Sequence, residues 1–269
     1  PPDAAGGVGL WLFSAAGPRD PFPLVIDDLP AVSDVGDHHG PEKALPLALP
    51  CSVDGVSDGP LADWFQFHAK AGERVAFEVL TQSLGSPMDP VLVLRDGAGE
   101  QLAMADDDGV SPEPRFSYVF PHDGDYLLEL RESRYVAGGR YHLRVGDFPM
   151  RLTAHPLAVQ RGTSTTVRFS SEETDRHVAD GAVTIDTDDR RPDLWLASRF
   201  EDGVATAWTR LHISDAPQVR EEDATQPLTW PVGISGQLST PDERDTFVLA
   251  VKAGERIRIH PRTRSLGSH

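Results

Sequence analysis

The residues with the most chemistry to offer are carboxylates. Asp106, Asp107 and Asp108 stand together before Gly109, in a turn between two strand-like segments. Clustered carboxylates repel each other, and a hard cation relieves that repulsion, so this turn is a candidate calcium site. Calcium takes roughly six to eight oxygens, more than the turn supplies. Asp89, just before Pro90, is the first candidate to join it, and Asp54, Asp58 and Asp63 are others. The spacing is not that of an EF-hand loop, where a Glu closes the run; the equivalent residue counted from Asp106 is Ser117. A solvated acidic turn is the alternative reading, and both stay open. A second acidic stretch holds Asp186, Asp188 and Asp189, but Arg190 and Arg191 follow at once, so local charge compensation accounts for it.

Catalytic chemistry lacks its parts. The 10 histidines are scattered, and none forms the H-E-x-x-H pair of a zinc peptidase. His38 and His39 sit in an acidic stretch and read as solvated. His68, His142 and His212 fall in strand patterns, in outward or satisfied positions. No G-x-S-x-G elbow is present, and Ser86 has no identifiable base. No glycine-rich loop opens a helix to cradle phosphate. Carboxylate pairs are plentiful, but an acidic chain supplies those by chance. The single cysteine, Cys51, lies in the apolar segment LALPCSVDG, where a small buried residue is expected. One cysteine also excludes an intrachain disulfide. The expectation is a non-enzymatic chain with no catalytic and no cofactor-binding residue, and with calcium as its one candidate cofactor.

The elements that would position these residues are short. Among 269 residues there are 24 Gly and 23 Pro, which punctuate the chain with turns and exclude long helices. The formal net charge of -17 repels a phosphate backbone, so nucleic acid is not an expected partner, and anionic membranes are disfavoured too. No apolar run approaches the ~18 residues of a membrane helix. No signal peptide is visible, and the chain opens at Pro1-Pro2, so any targeting segment is expected upstream.

The sequence repeats itself. Lys70-Ala71-Gly72-Glu73-Arg74 recurs as Lys252-Ala253-Gly254-Glu255-Arg256. Ser83-Leu84-Gly85-Ser86 recurs as Ser265-Leu266-Gly267-Ser268, at the same offset of 182 residues. Upstream, LALPCSVDG (47–55) resembles LTWPVGISG (228–236), and LVIDDLPAV (24–32) resembles LHISDAPQV (211–219). Two kinds of unit therefore alternate. Residues 1–35 read as the tail of one kind with its linker, and 36–148 as a whole unit of the other. Residues 149–220 read as a whole unit of the first kind, and 221–269 as the truncated start of a second copy of the other. The acidic, Pro-bearing stretches 33–46 and 215–227 read as linkers. Residues 221–269 cannot close a sandwich alone and are expected to pack poorly relative to 45–147, or to dock against another surface. Residues 1–35 are likewise expected to pair with little else.

Within 36–148 the apolar residues alternate in short runs. WFQFH and RVAFEVLT place Val75, Phe77 and Val79 on one face, with Gly72 turning between them. FSYVF places Phe116, Tyr118 and Phe120 together, and DYLLELR places Tyr126, Leu128 and Leu130 together. Asp96-Gly97 and Asp123-Gly124 predict hairpin turns. About eight strands in roughly 100 residues imply an all-β jelly-roll or Greek-key sandwich of two sheets. Residues 149–220 predict a smaller immunoglobulin-like sandwich, with Trp195 and Trp208 in its core.

The ordered pattern ADWFQFHAKAGERVAFEV, SLGSPMDPVLVLRDGAGEQLAMADDDG and RFSYVFPHDGDYLLELRE resembles the bacterial pre-peptidase C-terminal domain family, over about residues 45–147. Its first third recurs at 228–268. Residues 149–220 resemble, more weakly, the immunoglobulin-like domains that accompany it in large exported bacterial proteins. The resemblance implies a β-sandwich module of a secreted or cell-surface protein, with a periplasmic site also open. Some members of the family bind calcium and some bind polymers such as collagen. Three functions follow as expectations. The first is a binding or spacer segment whose partner is an extracellular protein or a polysaccharide, flanked by neighbouring domains of the same chain. The second is an accessory region of a secreted peptidase or other hydrolase with its catalytic domain elsewhere. The third is a carbohydrate-binding module.

Overall fold

The structure, a computed structural model, describes residues 6–10, 13–14, 17–18, 22–107, 113–149, 152–171, 180–199 and 205–263. The chain divides into two compact units, one of residues 1–150 with 203–207 and one of the remainder. The fold is all-β: three 3-10 turns, at Pro41–Lys43, Gln82–Leu84 and Glu221–Asp223, are the only helical elements among the described residues.

The first unit opens with β1 (Gly6–Leu10), β2 (Phe13–Ser14), β3 (Gly17–Pro18) and β4 (Phe22–Ile26), with β1 antiparallel to β4 and β2 to β3. Ten strands then build a sandwich: β5 (Ala31–Ser33), β6 (Leu45–Pro46), β7 (Cys51–Val56), β8 (Asp63–Ala69), β9 (Arg74–Leu80), β10 (Pro90–Arg95), β11 (Gln101–Ala105), β12 (Arg115–Val119), β13 (Gly124–Glu132) and β14 (Arg140–Gly146). One sheet has the order β12-β9-β14-β7-β5 and the other β11-β10-β13-β8-β6. From β5 to β10 the chain changes sheet at every step. Only β10 and β11 form a hairpin within one sheet, around Asp96-Gly97 as the sequence predicts. Asp123-Gly124 does not close a hairpin: β12 pairs with β9, while β13 lies between β8 and β10.

Period-2 patterning sets the core. Phe65 and Phe67 of β8, Val75, Phe77 and Val79 of β9, and Tyr126, Leu128 and Leu130 of β13 are buried between the sheets. Each large apolar side chain so buried contributes about 1.5–3 kcal/mol. Cys51 lies in the same core, and burial pushes its thiol up to about 11. Phe67, Phe120 and Tyr126 meet ring to ring, with Phe120 and Tyr126 4.3 Å apart between centroids.

The expectation that residues 1–35 pair with little else is overturned. β5 runs parallel to β7, with Val32 opposite Val53. The preceding Leu29 packs with Ala76 and Phe148 on the outer face of the β9–β14 sheet. The stretch 33–46 is likewise no free linker: it carries the end of β5, a 3-10 turn and β6.

The second unit contains β15 (Thr153–His155), β16 (Ala158–Gln160), β17 (Ser164–Ser170), β18 (Gly181–Thr184), β19 (Asp193–Arg199) and, from Trp208 on, β20 (Ala205–Ser214). β17 pairs antiparallel with β15 and β18, and β20 lies between β16 and β19. Val159, Val167, Ile185, Leu211 and Ile213 are buried together. The side chains of Trp195 and Trp208 lie outside the described residues. Beyond β20 come β21 (Gln218–Arg220), β22 (Leu228–Thr229), β23 (Gly233–Ser235) and β24 (Leu249–Ala250), in two parallel two-stranded ladders, β21 with β23 and β22 with β24.

Candidate functional site

Register decides which carboxylates meet. Leu130 lies opposite Asp63, Pro90 opposite Glu132, and Leu92 opposite Ala105. The start of β8, the end of β13, the start of β10 and the end of β11 therefore share one end of a sheet. Asp89 and the Asp106-Asp107 pair flank neighbouring strands there. Asp63 stands two strands from Asp89, about 10 Å away at the usual strand spacing, too far to share an ion with it.

Asp89 is held by its neighbours. Its carboxylate accepts the Ser133 hydroxyl at 2.6 Å, its N–H donates to Glu132 at 3.3 Å, and the Arg134 guanidinium lies 3.9 Å away. Glu132 is itself buried and accepts the Val136 N–H at 2.8 Å. Burial opposes its charge, but these N–H donors and Arg134 outweigh it and hold the carboxyl below its usual range. Asp106 accepts the Asp107 N–H at 2.9 Å, and both are exposed. Asp108 lies outside the described residues. Among the described residues, no three His, Cys, Asp or Glu side chains converge as a metal-ligand set.

Asp54, Asp58 and Asp63 turn instead to histidines. His39 contacts Asp58 at 3.0 Å and Asp63 at 3.3 Å. His38 donates to Asp34 and packs at a tilt against Phe65, 5.3 Å between ring centroids. His38 is buried, which corrects the solvated reading of this pair: its ring finds both a carboxylate and an aromatic neighbour. The Tyr141 hydroxyl joins the two halves, 2.8 Å from Asp63 and 3.1 Å from Asp34. One phenol carries one proton, so it cannot donate to two carboxylates at once. Burial raises the Asp63 carboxyl, and the hydrogen bond from Tyr141 works against it.

A second network lies on the outer face of the β9–β14 sheet. His142 and Arg144 alternate with the core-facing Tyr141, Leu143 and Val145. His142 reaches Asp54 at 2.8 Å through Nδ1 and Asp27 at 3.0 Å through Nε2. Arg144, fully buried, donates to Asp27 at 2.8 Å and to Glu78 at 2.7 Å, and lies over the Phe148 ring. Burial alone would depress both bases, yet the facing carboxylates raise them. Burial likewise works against Asp27, but the His142 hydrogen bond and Arg144 bring it down to about 2. A neutral imidazole has one N–H, so two carboxylate partners require the imidazolium. Sequence reasoning missed this network. The outward alternation of Glu78, His142 and Arg144 was readable, but not that Asp27 and Leu29 cover them.

The remaining sequence candidates are satisfied locally. His68 pairs with Asp125 at 3.0 Å on the surface. Ser86 accepts the Met88 N–H at 3.3 Å. Asp189 is held low by Arg191, which donates to it at 2.6 Å, the charge compensation expected of that stretch. These arrangements tie segments together.

No family model matches the chain. It is similar to a probable subtilase-type serine protease of Deinococcus radiodurans, 36% identical over 69 residues, which is 25% of this chain and 9% of that protein. Among solved structures it is similar to the pre-peptidase C-terminal domain of a collagenase from Bacillus anthracis, at 20% identity and a TM-score of 0.31, covering 38% of this chain and 93% of that one. It is also similar to a surface-associated copper-binding protein of Methylomicrobium album, at 11% identity and a TM-score of 0.32, covering 38% and 96%. A periplasmic lysozyme inhibitor from Aeromonas hydrophila gives 16% identity and a TM-score of 0.29, covering 44% and 96%.

Proposed function

We propose that this chain is a non-catalytic β-sandwich segment of a secreted or cell-surface repetitive protein, acting as a binding or spacer module. The observation that carries the reading is how the reactive side chains of the first unit are used. Cys51 is sealed in the core, and His38, His39 and His142 are each engaged by carboxylates. Groups spent on holding segments together are not poised to turn over a substrate. The partner of such a module is an extracellular protein or a polysaccharide, and no described helix is long and apolar enough to cross a membrane.

A second reading, an accessory region of a secreted peptidase, is favoured by the 69-residue match to a subtilase-type protease. The carbohydrate-binding reading has less behind it, because Trp64 on the outer face of β8 lies under the Arg95 guanidinium, 5.7 Å from the ring centroid. The purified chain should be retained saturably on at least one insoluble protein or glycan polymer and should leave casein and peptide substrates intact. Substrate turnover that follows the chain through purification would overturn the reading.

Calcium belongs to the same proposal, at Asp106, Asp107 and Asp108 with Asp89. Melting with calcium and with chelator tests it. A raised midpoint that disappears in Asp108→Asn supports the site, and identical midpoints remove it.

A further inference from the structure

Residues 245–259 repeat residues 63–77, and both copies can be compared strand by strand. In the first copy β8 has a neighbour on each side. β6 runs parallel to it, and Leu47 donates its N–H to the Gln66 carbonyl at 2.7 Å. β13 runs antiparallel on the other side, with Leu128 opposite Phe65, Tyr126 opposite Phe67 and Gly124 opposite Ala69. The second copy reproduces the first side of this arrangement. β22 runs parallel to β24, and Leu228 donates its N–H to the Val248 carbonyl at 2.8 Å. The following turn is also reproduced. Gly254 has φ +84° where Gly72 has +81°, and Lys252 donates its N–H to Glu255 at 2.7 Å where Lys70 donates to Glu73 at 2.8 Å.

The second side differs. Among the described residues no strand pairs with the far edge of β24. The positions equivalent to the buried Ala69, Val75 and Phe77 are Val251, Ile257 and Ile259, and they are 55%, 36% and 79% exposed. An open cleft of about 630 Å³, lined in part by Ile234, Leu238, Thr246 and Phe247, lies along the segment that leads into β24. A strand edge with free backbone donors and an apolar face beside it is a template for strand addition.

We infer that the Asp245–Val251 edge is a strand-accepting surface whose occupant is an amphipathic β-strand of the Gly124–Leu130 type. The first copy states the chemistry of that occupant. It runs antiparallel, places a glycine opposite Val251, an aromatic residue opposite Leu249 and an aliphatic residue opposite Phe247. A second copy of this chain is a poor donor, because its own Gly124–Leu130 is held between β8 and β10. The proposal does not depend on what the first sandwich binds.

A synthetic peptide of residues 124–132 added to the full chain tests it, read by amide hydrogen exchange. Exchange at residues 246–251 should slow at least about tenfold with this peptide, and not with a scrambled peptide of the same composition. Val251→Asp, a change at an exposed position, should abolish the protection while leaving exchange in residues 63–77 unchanged. Equal protection by the scrambled peptide, or none at millimolar peptide, overturns the proposal. Protection that instead rises with chain concentration, together with dimer in sedimentation, would make a second copy the occupant and overturn the choice made here.

Discussion

Arg144 shows how the first unit spends its charges. The guanidinium is fully buried between Glu78 and Asp27, so each carboxylate compensates a charge that water cannot reach. Removing one partner of such a group costs about 3–5 kcal/mol, because the other charge stays buried and uncompensated. Glu78→Gln should therefore lower the urea midpoint sharply with little change in slope. A loss below about 1 kcal/mol would mean that Asp27 alone suffices. His142 adds a pH dependence whose sign is fixed by its raised basicity. The imidazolium is favoured in the folded chain, so its stabilisation is complete below the ordinary histidine value near 6.5 and is lost as pH rises through the higher folded value. Asp27 works in the opposite sense. Its carboxyl falls to about 2, so its contribution is present above the ordinary value near 3.8 and is lost as pH falls towards 2. Urea midpoints across a pH series should form a plateau from roughly 4 to 6.5 and decline on both sides. His142→Gln should flatten the alkaline decline and also weaken the acid one, because the His142 hydrogen bond helps to hold Asp27 low. An unchanged alkaline limb would remove His142 as its source.

At the scale of elements, strand faces were legible and strand partners were not. The alternation in β8, β9 and β13 places Phe65, Val75, Phe77 and Leu128 in the core, because burial on one face leaves a period of two in the sequence. The turn at Asp123-Gly124 predicts a hairpin from the same signals that give one at Asp96-Gly97. In the structure the first crosses between sheets and the second does not. A tight turn fixes the reversal of direction, while the partner is chosen by packing that no local window contains. His38 and His39 were illegible for a related reason. Their acidic surroundings suggest solvation, but Asp34 and Asp63 belong to a cluster closed by Tyr141, far along the chain. Of the candidate calcium residues, the β10–β11 register puts Asp89 and the Asp106-Asp107 pair at the same end of neighbouring strands, while sequence alone could not exclude Asp63 by distance. Gly55 gives this level its own test. It lies on β7 against the Tyr141 hydroxyl and the Asp34 carboxylate, with no room for a methyl group. Gly55→Ala should cost about 1–3 kcal/mol through overpacking. Because β5 enters through Asp34, exchange at residues 31–34 should rise more than exchange in β9. A uniform increase across the sandwich would argue against so local a role.

For the whole molecule, the decisive contrast is one motif in two settings. Lys70-Ala71-Gly72-Glu73-Arg74 and Lys252-Ala253-Gly254-Glu255-Arg256 share sequence, turn geometry and the same capping hydrogen bonds. Trypsin therefore meets the same local substrate twice, and intrinsic preference for the bond cancels from the comparison. Cleavage of a folded chain requires a stretch around the bond to open, so relative rates report the opening free energy at each site. Opening at Lys70 or Arg74 breaks into β8 and β9, which sit in the two sheets of the sandwich and bury Phe65, Phe67, Val75 and Phe77. Opening at Lys252 or Arg256 disturbs a two-residue ladder, and Val251, Ile257 and Ile259 are already exposed. Limited digestion should accordingly cut after Lys252 and Arg256 well before Lys70 and Arg74, at least about a hundredfold faster if the openings differ by some 3 kcal/mol. Mass spectrometry of early time points should show a fragment that retains residues 51–146 intact. Equal rates at the two sites would mean that the second copy is as well covered as the first, and the exposed face would lose its place as an acceptor. If the 124–132 peptide slows the cuts after Lys252 and Arg256 without altering those after Lys70 and Arg74, strand addition and protection are linked at the same edge.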